Sequence, residues 1–396
     1  MGRHRVIVVG AGIGGLVSAL ELAHYGCEVT VVEAASGPGG KLRQVRLGAC
    51  LLDAGPTVFT MRGVFDALFD DVGETLSDHL GMTPLETLAR HAWGDGQVLD
   101  LHADPVRSAQ AIGDFAGAAQ AARFTDFCRR ARQIHQTLDA SFIRAGRPNV
   151  VSLAARVARG GLAGLARIAA FGSLWNELGR YFPDPRLRQL FGRYATYCGS
   201  SPFMAPATLM LVAHVEQQGV WSLDGGMQHM AQTVAELAGR RGARLLWDSP
   251  VSEVLVRNGR ANGVRLAGGD TLQADAVVFN GDSAALAAGL LGRQVRQAVT
   301  APQPAGRSLS AVTWNLVAPT GGFSLLRHNV FFSGSSAAEF GDLFERERLP
   351  ADPTVYVCAL DRGDPGGARP RGAERLLCLV NAPATADVQE PDAHAL

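Results

Sequence analysis

Arg5-Val6-Ile7-Val8-Val9-Gly10-Ala11-Gly12-Ile13-Gly14-Gly15-Leu16 is the stretch on which the fold turns. Its first five residues read as a short strand buried on both faces. The turn that follows has the spacing G-x-G-x-x-G. Gly10 allows a tight turn, Gly12 lets the backbone approach a pyrophosphate, and Gly15 lets the next helix pack closely on the sheet. That helix is predicted from about Gly14 to Tyr25, with Leu16, Leu20 and Leu22 as apolar positions and Gly26 placed to end it. A second strand, E-V-T-V-V-E, ends at Glu33. Strand, glycine turn, helix and strand make a βαβ unit, the setting in which this spacing binds a dinucleotide. The helix start offers unpaired N–H groups and a positive dipole end to phosphates, so Ile13 and Gly14 join Gly10, Gly12 and Gly15 as candidate cofactor contacts. Glu33 is placed to accept hydrogen bonds from adenosine ribose hydroxyls, and its charge disfavours a 2′-phosphate.

The fingerprint alone does not separate FAD from NAD. Two further glycine segments follow it, Gly37-Pro38-Gly39-Gly40-Lys41 and Asp53-Ala54-Gly55-Pro56-Thr57. They suit a longer ligand threading along the backbone, which favours FAD. Downstream the pattern turns helical over residues 104–220, broken at Arg147-Pro148 and at Pro183-Asp184-Pro185. An α/β pattern then returns. A helix is predicted over 226–239, followed by strands over 251–256, 261–266 and 271–273, and by a buried strand A-V-V-F over 276–279. Asn258-Gly259 is a strong hairpin signal between the first two of these strands. Further β-like runs fall at 310–317, 329–332, 354–360 and 376–380.

The chain has 396 residues, 47% of them hydrophobic and 19% charged, with formal net charge zero. That balance gives no reason to expect nucleic acid as a partner. Six cysteines occur without a C-x-x-C pair, and the histidines His79, His91, His102, His135 and His214 are isolated in sequence, so no metal site is expected. Each of these histidines reads as a surface residue or a satisfied core residue. No signal peptide precedes the first strand and no run of about 20 apolar residues occurs, so a transmembrane helix is not expected.

The three glycine segments resemble the flavin amine oxidase superfamily. The resemblance narrows at D-A-G-P-T-V-F-T-M-R (53–62), P-D-P-R-L-R-Q-L-F-G-R-Y-A-T-Y-C-G-S-S-P (183–202) and G-V-W-S-L-D-G-G-M (219–227), which look like bacterial carotenoid desaturases. The sequence most resembles the 1-hydroxycarotenoid 3,4-desaturases, also called methoxyneurosporene dehydrogenases, over nearly its whole length. The resemblance implies an α/β fold: a Rossmann-type FAD-binding domain with a mixed sheet and a helical insertion forming the substrate domain. It implies a discontinuous FAD-binding domain over 1–75 and 215–300, and a substrate-binding and membrane-contact region over 76–214 and 301–396. By carry-over, Gly10, Gly12, Gly15, Glu33, Gly40, Lys41, Pro56 and Thr57 line the cofactor, Val251 meets the adenine through its backbone, and Asp282 marks the return to the flavin. Arg144 falls where related desaturases carry an arginine near the substrate channel; there it would orient a polar end or stabilise reduced flavin, while the plain alternative is a solvated arginine on a helix.

The implied reaction is FAD-dependent desaturation of an acyclic, hydroxylated or methoxylated carotenoid. Such a substrate lives in the bilayer, so a cytoplasmic enzyme bound peripherally to the inner face of the cell membrane is expected. The best segment for that contact is 151–175, where Val157, Leu165, Ile168 and Trp175 share one helical face and Arg156, Arg159 and Arg167 the other; a core-facing helix with a solvated arginine face is the alternative, and Gly160, Gly161 and Gly164 weaken either helix. The family's C-terminal glycine-rich segment with a His-Pro-Gly core does not occur in this sequence, which bears on FAD retention and activity. A phytoene desaturase, another polyene oxidoreductase of the same fold, or a non-catalytic fragment or escort protein remain as alternatives.

Overall fold

The computed structural model describes residues 4–139, 143, 172–300, 306–363 and 372–385. The chain divides into two compact units, Met1–Thr83 with Trp221–Arg307, and Pro84–Val220 with Ser308–Leu396.

The first unit is built on a four-stranded parallel sheet. Arg5–Val9 lies at its middle, flanked by Glu28–Val32 and Ala276–Phe279, with Arg244–Leu246 outside Glu28–Val32. Val6 to Val9 are all buried, as expected of a parallel strand covered on both faces. Side chains alternate between two cores. Val8, Val29 and Val31 pack with Leu16 and Leu20 of helix Ile13–His24 and with Val234 and Leu237 of helix Met227–Arg240. Ile7, Val9 and Val32 pack with Val254, Val264 and Leu286 beneath a three-stranded antiparallel sheet. Helix Ile13–His24 stops at Tyr25, and Gly26 follows at φ 87°, the left-handed conformation that glycine adopts without strain. The hairpin Val251–Arg257/Arg260–Leu266 turns at Asn258 and Gly259, both at positive φ (52° and 74°). A short hairpin, Gln44–Leu47 with Cys50–Asp53, joins two of the glycine segments.

The second unit pairs a six-stranded mixed sheet with a helical layer. The sheet order is Ser310–Pro319, Ala373–Ala382, Val355–Ala359, His328–Phe331, Thr87–Ala92, Val98–His102. Helices Pro105–Ala116 and Ala118–Leu138 form one arm of the layer; Leu174–Tyr181 and Leu211–Gln217 pack against the second of them, and Pro185–Gly192 against Leu174–Tyr181. Phe127, Phe182 and Phe191 are fully buried, with ring centroids 4.6 to 5.2 Å apart. Two helices start with a proline in the first turn and an aspartate cap: Asp104 accepts from the Val106 N–H and Asp184 from the Arg186 N–H. The predicted break at Pro183-Asp184-Pro185 is therefore a helix start.

Candidate functional site

The parallel sheet reverses strand order at Arg5–Val9, whose neighbours are the next strand in sequence on one side and the last on the other. The crevice beyond the carboxyl ends at such a switch point is where open α/β sheets bind ligands. Gly10 leaves the strand there at φ 98°, and its N–H donates to Val32 O at 2.8 Å. Gly12 precedes helix Ile13–His24, so the helix start faces the same turn.

Four segments interlock around this turn. The Gly39 N–H donates to Ala11 O at 2.9 Å, and a Cβ at Gly40 would stand 3.1 Å from Gly12 Cα. A Cβ at Gly55 would stand 1.8 Å from Lys41 O, so the D-A-G-P-T segment is pressed against G-G-K. Asp53 is buried. One carboxylate oxygen accepts the Met227 N–H at 2.6 Å and the other accepts from Gln44 Nε2 at 3.1 Å. It thereby places an acceptor at the start of helix Met227–Arg240, where the dipole favours negative charge. Gln228 Nε2 donates to Pro38 O at 3.2 Å, tying G-G-M to G-P-G-G.

Glu33 is held by two backbone amides. Its Oε2 accepts the Ala11 N–H at 2.6 Å and its Oε1 accepts the Ala35 N–H at 2.8 Å. Each oxygen keeps acceptor capacity for a ribose hydroxyl. The Ser249 N–H donates to Glu33 O at 2.8 Å, which brings the start of strand Val251–Arg257 beside the glutamate. Lys41 and Pro56 are exposed and Thr57 is half-buried. The Asp282 carboxylate accepts the Ala284 N–H at 2.8 Å and caps helix Ser283–Ala288. Arg144 and residues 151–171 of the basic amphipathic segment lie outside the described residues. Trp175 at that segment's end is half-buried, with its ring 4.8 Å from Phe203 and under the Arg188 guanidinium at 4.3 Å.

Sequence reasoning missed Asn280. Its N–H donates to Val9 O at 2.8 Å, and its side chain crosses the fingerprint: Cβ atoms at Gly12, Gly14 and Gly15 would each meet the carboxamide within 3.0 Å. The turn is glycine-rich partly because this side chain fills it. A polar residue directly after the run A-V-V-F was the only signal; that strand was expected to be buried, but Ala276 is exposed and Val277 to Phe279 are half-buried, because it lies at the edge of the parallel sheet. Two of the isolated histidines need a correction. His135 and His214 pack with ring centroids 5.0 Å apart, and His135 Nε2 and His214 Nδ1 are buried without a hydrogen-bond partner, so neither is a satisfied core residue. His79 is paired, its Nε2 2.9 Å from Glu74. Among the described residues no group of three or more His, Cys, Asp or Glu side chains is arranged to hold a metal ion.

A floor free of Cβ atoms, a helix N-terminus and an acid at the end of the second strand fit an adenine dinucleotide; the two extra glycine segments extend the cradle for FAD. The model of the flavin containing amine oxidoreductase family matches residues 13–313. The chain is 55% identical over 97% of its length to a hydroxyneurosporene desaturase of Rubrivivax gelatinosus, 73% of which is covered. It is 44% identical over 96% of its length to the hydroxyneurosporene desaturase of Cereibacter sphaeroides, 76% of which is covered. Among solved structures, an oxidoreductase from Methanosarcina mazei superposes with a TM-score of 0.59 over 97% of this chain and 80% of that one, at 16% identity; at that identity the likeness speaks for the fold.

Proposed function

We propose a substrate and a reaction on the premise that this chain belongs to the flavin-containing amine oxidoreductase family and, within it, to the carotenoid desaturases. It is an FAD-dependent oxidoreductase that introduces C–C double bonds into a carotenoid. The substrate we assign is an acyclic carotenoid carrying a hydroxyl end group. The observation that carries the assignment is 55% identity over nearly the whole chain to a desaturase named for such a substrate.

Gly10, Gly12, Ile13, Gly14 and Gly15 would hold the pyrophosphate, Glu33 the adenosine ribose and Val251 the adenine, while Gly40, Lys41, Pro56, Thr57 and Asp282 would line the rest of the cofactor. When bound, the flavin supplies the two-electron acceptor for the two hydrogens lost from the C–C bond. The chain's own residues bind and orient. Glu33 fixes one end of the cofactor through a carboxylate already locked by Ala11 and Ala35, and this preorganisation lowers the ordering cost of binding. No paired carboxylates or nucleophile–base pair is needed, because charge that develops in desaturating a polyene is delocalised along it.

No helix of the described residues is long and apolar enough to cross a membrane. We assign peripheral contact with the cytoplasmic face of the membrane on the chemistry of the substrate, with exposed Met204 beside Phe203 as the supporting surface feature. The test is purification, flavin release and identification, then turnover of a hydroxylated acyclic carotenoid in liposomes. FAD bound near one per chain and a product with a longer-wavelength spectrum are expected. A folded, flavin-loaded protein that leaves the carotenoid unchanged would refute the reaction. Flotation with vesicles tests the membrane contact separately.

A further inference from the structure

We propose that the free edge of strand Val98–His102 takes up an extended, basic peptide segment of a partner protein as an added strand. That edge belongs to the second unit and takes no part in the cofactor site described above.

Val98–His102 is the last strand of the six-stranded sheet, so only Thr87–Ala92 pairs with it. Its backbone directions follow from the turn before it. The Trp93 N–H donates to Gln97 O at 3.1 Å and the Gly96 N–H to Trp93 O at 3.0 Å, with Gly96 at φ 83°. Trp93 and Gln97 are therefore a hydrogen-bonded pair, and in an antiparallel ladder such pairs alternate with non-bonded ones. The register then makes Ala92/Val98 and Arg90/Asp100 non-bonded pairs, so the N–H and C=O groups of Val98 and Asp100 point away from the sheet. His102, two residues on, confirms the direction. Its N–H donates to Ser108 Oγ at 2.8 Å, and that hydroxyl donates to His102 O at 2.9 Å. Ser108 belongs to helix Pro105–Ala116, so the helix satisfies the outward edge at His102. Among the described residues nothing pairs with the outward groups of Val98 or Asp100.

The space beside those groups is open. A groove of about 540 Å³ is lined on the strand side by Val98, Leu99 and Asp100, and on the helix side by Ala111, Asp114 and Phe115. That volume falls in the range of about 300–1,000 Å³ usual for ligand sites. An exposed strand edge is a template for another chain, and an extended peptide can add to it through main-chain bonds while its alternate side chains give specificity. This edge carries few of the devices that block such pairing. No proline or lysine stands on it, and the one register shift lies on its neighbour. Its only carboxylate, Asp100, is bound by Arg90 through two bonds, at 2.8 and 2.7 Å.

Charge selects the occupant. Arg90 is taken by Asp100; Arg186, stacked over the Phe115 ring at 4.2 Å, is taken by Asp184. Among the described residues no cation pairs with the exposed Asp114 carboxylate. The charge left over in the groove is therefore negative, and a lysine or arginine on the incoming strand meets it. A second copy of this edge would bring another unpaired acid instead, and like charges disfavour such pairing.

The test uses the full chain with its flavin bound. The probe is a capped, fluorescein-labelled peptide of alternating valine and threonine with one central lysine, followed by fluorescence anisotropy. Saturable binding is expected, about 2- to 5-fold weaker in Asp114→Asn and weaker still when glutamate replaces the lysine. Val98→Pro deletes one outward N–H and leaves the bonds to Thr87–Ala92 in place; binding should fall about tenfold. N-methylation of alternate peptide amides should do the same with no change in the protein, and it carries the decision if Val98→Pro does not fold. Binding indifferent to N-methylation overturns strand addition, and equal binding of the lysine and glutamate peptides overturns selection by charge. No binding at millimolar peptide overturns the proposal altogether. A concentration-dependent dimer that Val98→Pro dissociates overturns it in favour of a second copy.

Discussion

Replacing Gly15 with alanine should cost the protein its flavin, and the structure says why Gly14 should be more forgiving. An alanine Cβ at Gly15 would lie 2.1 Å from the Gly10 carbonyl oxygen and 3.0 Å from Asn280 Nδ2. Ordinary carbon–oxygen contact begins at roughly 3.3 Å, so backbone must move by about 1 Å. The obstacle is a carbonyl in the turn that would hold the pyrophosphate. Alanine gains about 1 kcal/mol of helix propensity over glycine, but overpacking against backbone costs about 1–3 kcal/mol or more, so the clash decides the sign. At Gly14 the nearest atom is Asn280 Oδ1 at 2.8 Å, the end of a side chain that can rotate away. We expect FAD affinity to fall at least about tenfold in Gly15→Ala, equivalent to about 1.4 kcal/mol, and clearly less in Gly14→Ala. Adding Asn280→Ala should rescue Gly14→Ala and leave Gly15→Ala impaired, because contacting sites couple and the Gly10 carbonyl stays in place. Flavin stoichiometry after purification and a fluorescence-quenching titration measure both. Wild-type affinity in Gly15→Ala would refute the assignment of this turn to the cofactor.

Three further outcomes follow from the geometry. Glu33→Gln replaces one charged acceptor for the Ala11 and Ala35 amides with a donor; FAD binding should become about tenfold weaker, read by the same titration. Asp53→Ala leaves the half-buried Met227 N–H without its acceptor and should lower unfolding free energy by about 1 kcal/mol in urea, while Asp53→Asn, which keeps an acceptor, should lose less. Glu374, 2% exposed, forms a two-bonded ion pair with Arg362 at 2.7 Å for both bonds; Glu374→Gln should cost about 1–3 kcal/mol, because the half-buried Arg362 loses its counter-charge but keeps Leu325 O and Thr320 as acceptors. The Arg362 guanidinium holds the Glu374 pKa below its ordinary 4.5, so the pair stabilises fully above that pH and the contribution drains as pH falls through the lowered value. Melting temperature in the wild type should therefore drop below pH 4.5 more steeply than in Glu374→Gln.

The sequence by itself determined the centre of the first unit and the cofactor class. The run from Arg5 to Leu16, the acid at Glu33 and the Asn258-Gly259 turn carry their structural instructions locally, through glycine conformation, burial on both strand faces and a helix N-terminus. Local rules therefore read them within a residue or two. Strands Thr87–Ala92 and Val98–His102 were not legible, because T-L-A-R-H-A suits a helix as well as a strand; what makes it a strand is pairing with His328–Phe331, more than 230 residues away. The same physics hid Asn280, which matters through a side chain laid across glycines 265 or more positions earlier, and Asp53, which caps a helix that begins 174 residues on. Periodicity and glycine spacing act over a few bonds and are written in the chain, whereas strand partners, caps from distant residues and shared sheet faces are decided by long-range packing and exist only once the tertiary structure has formed.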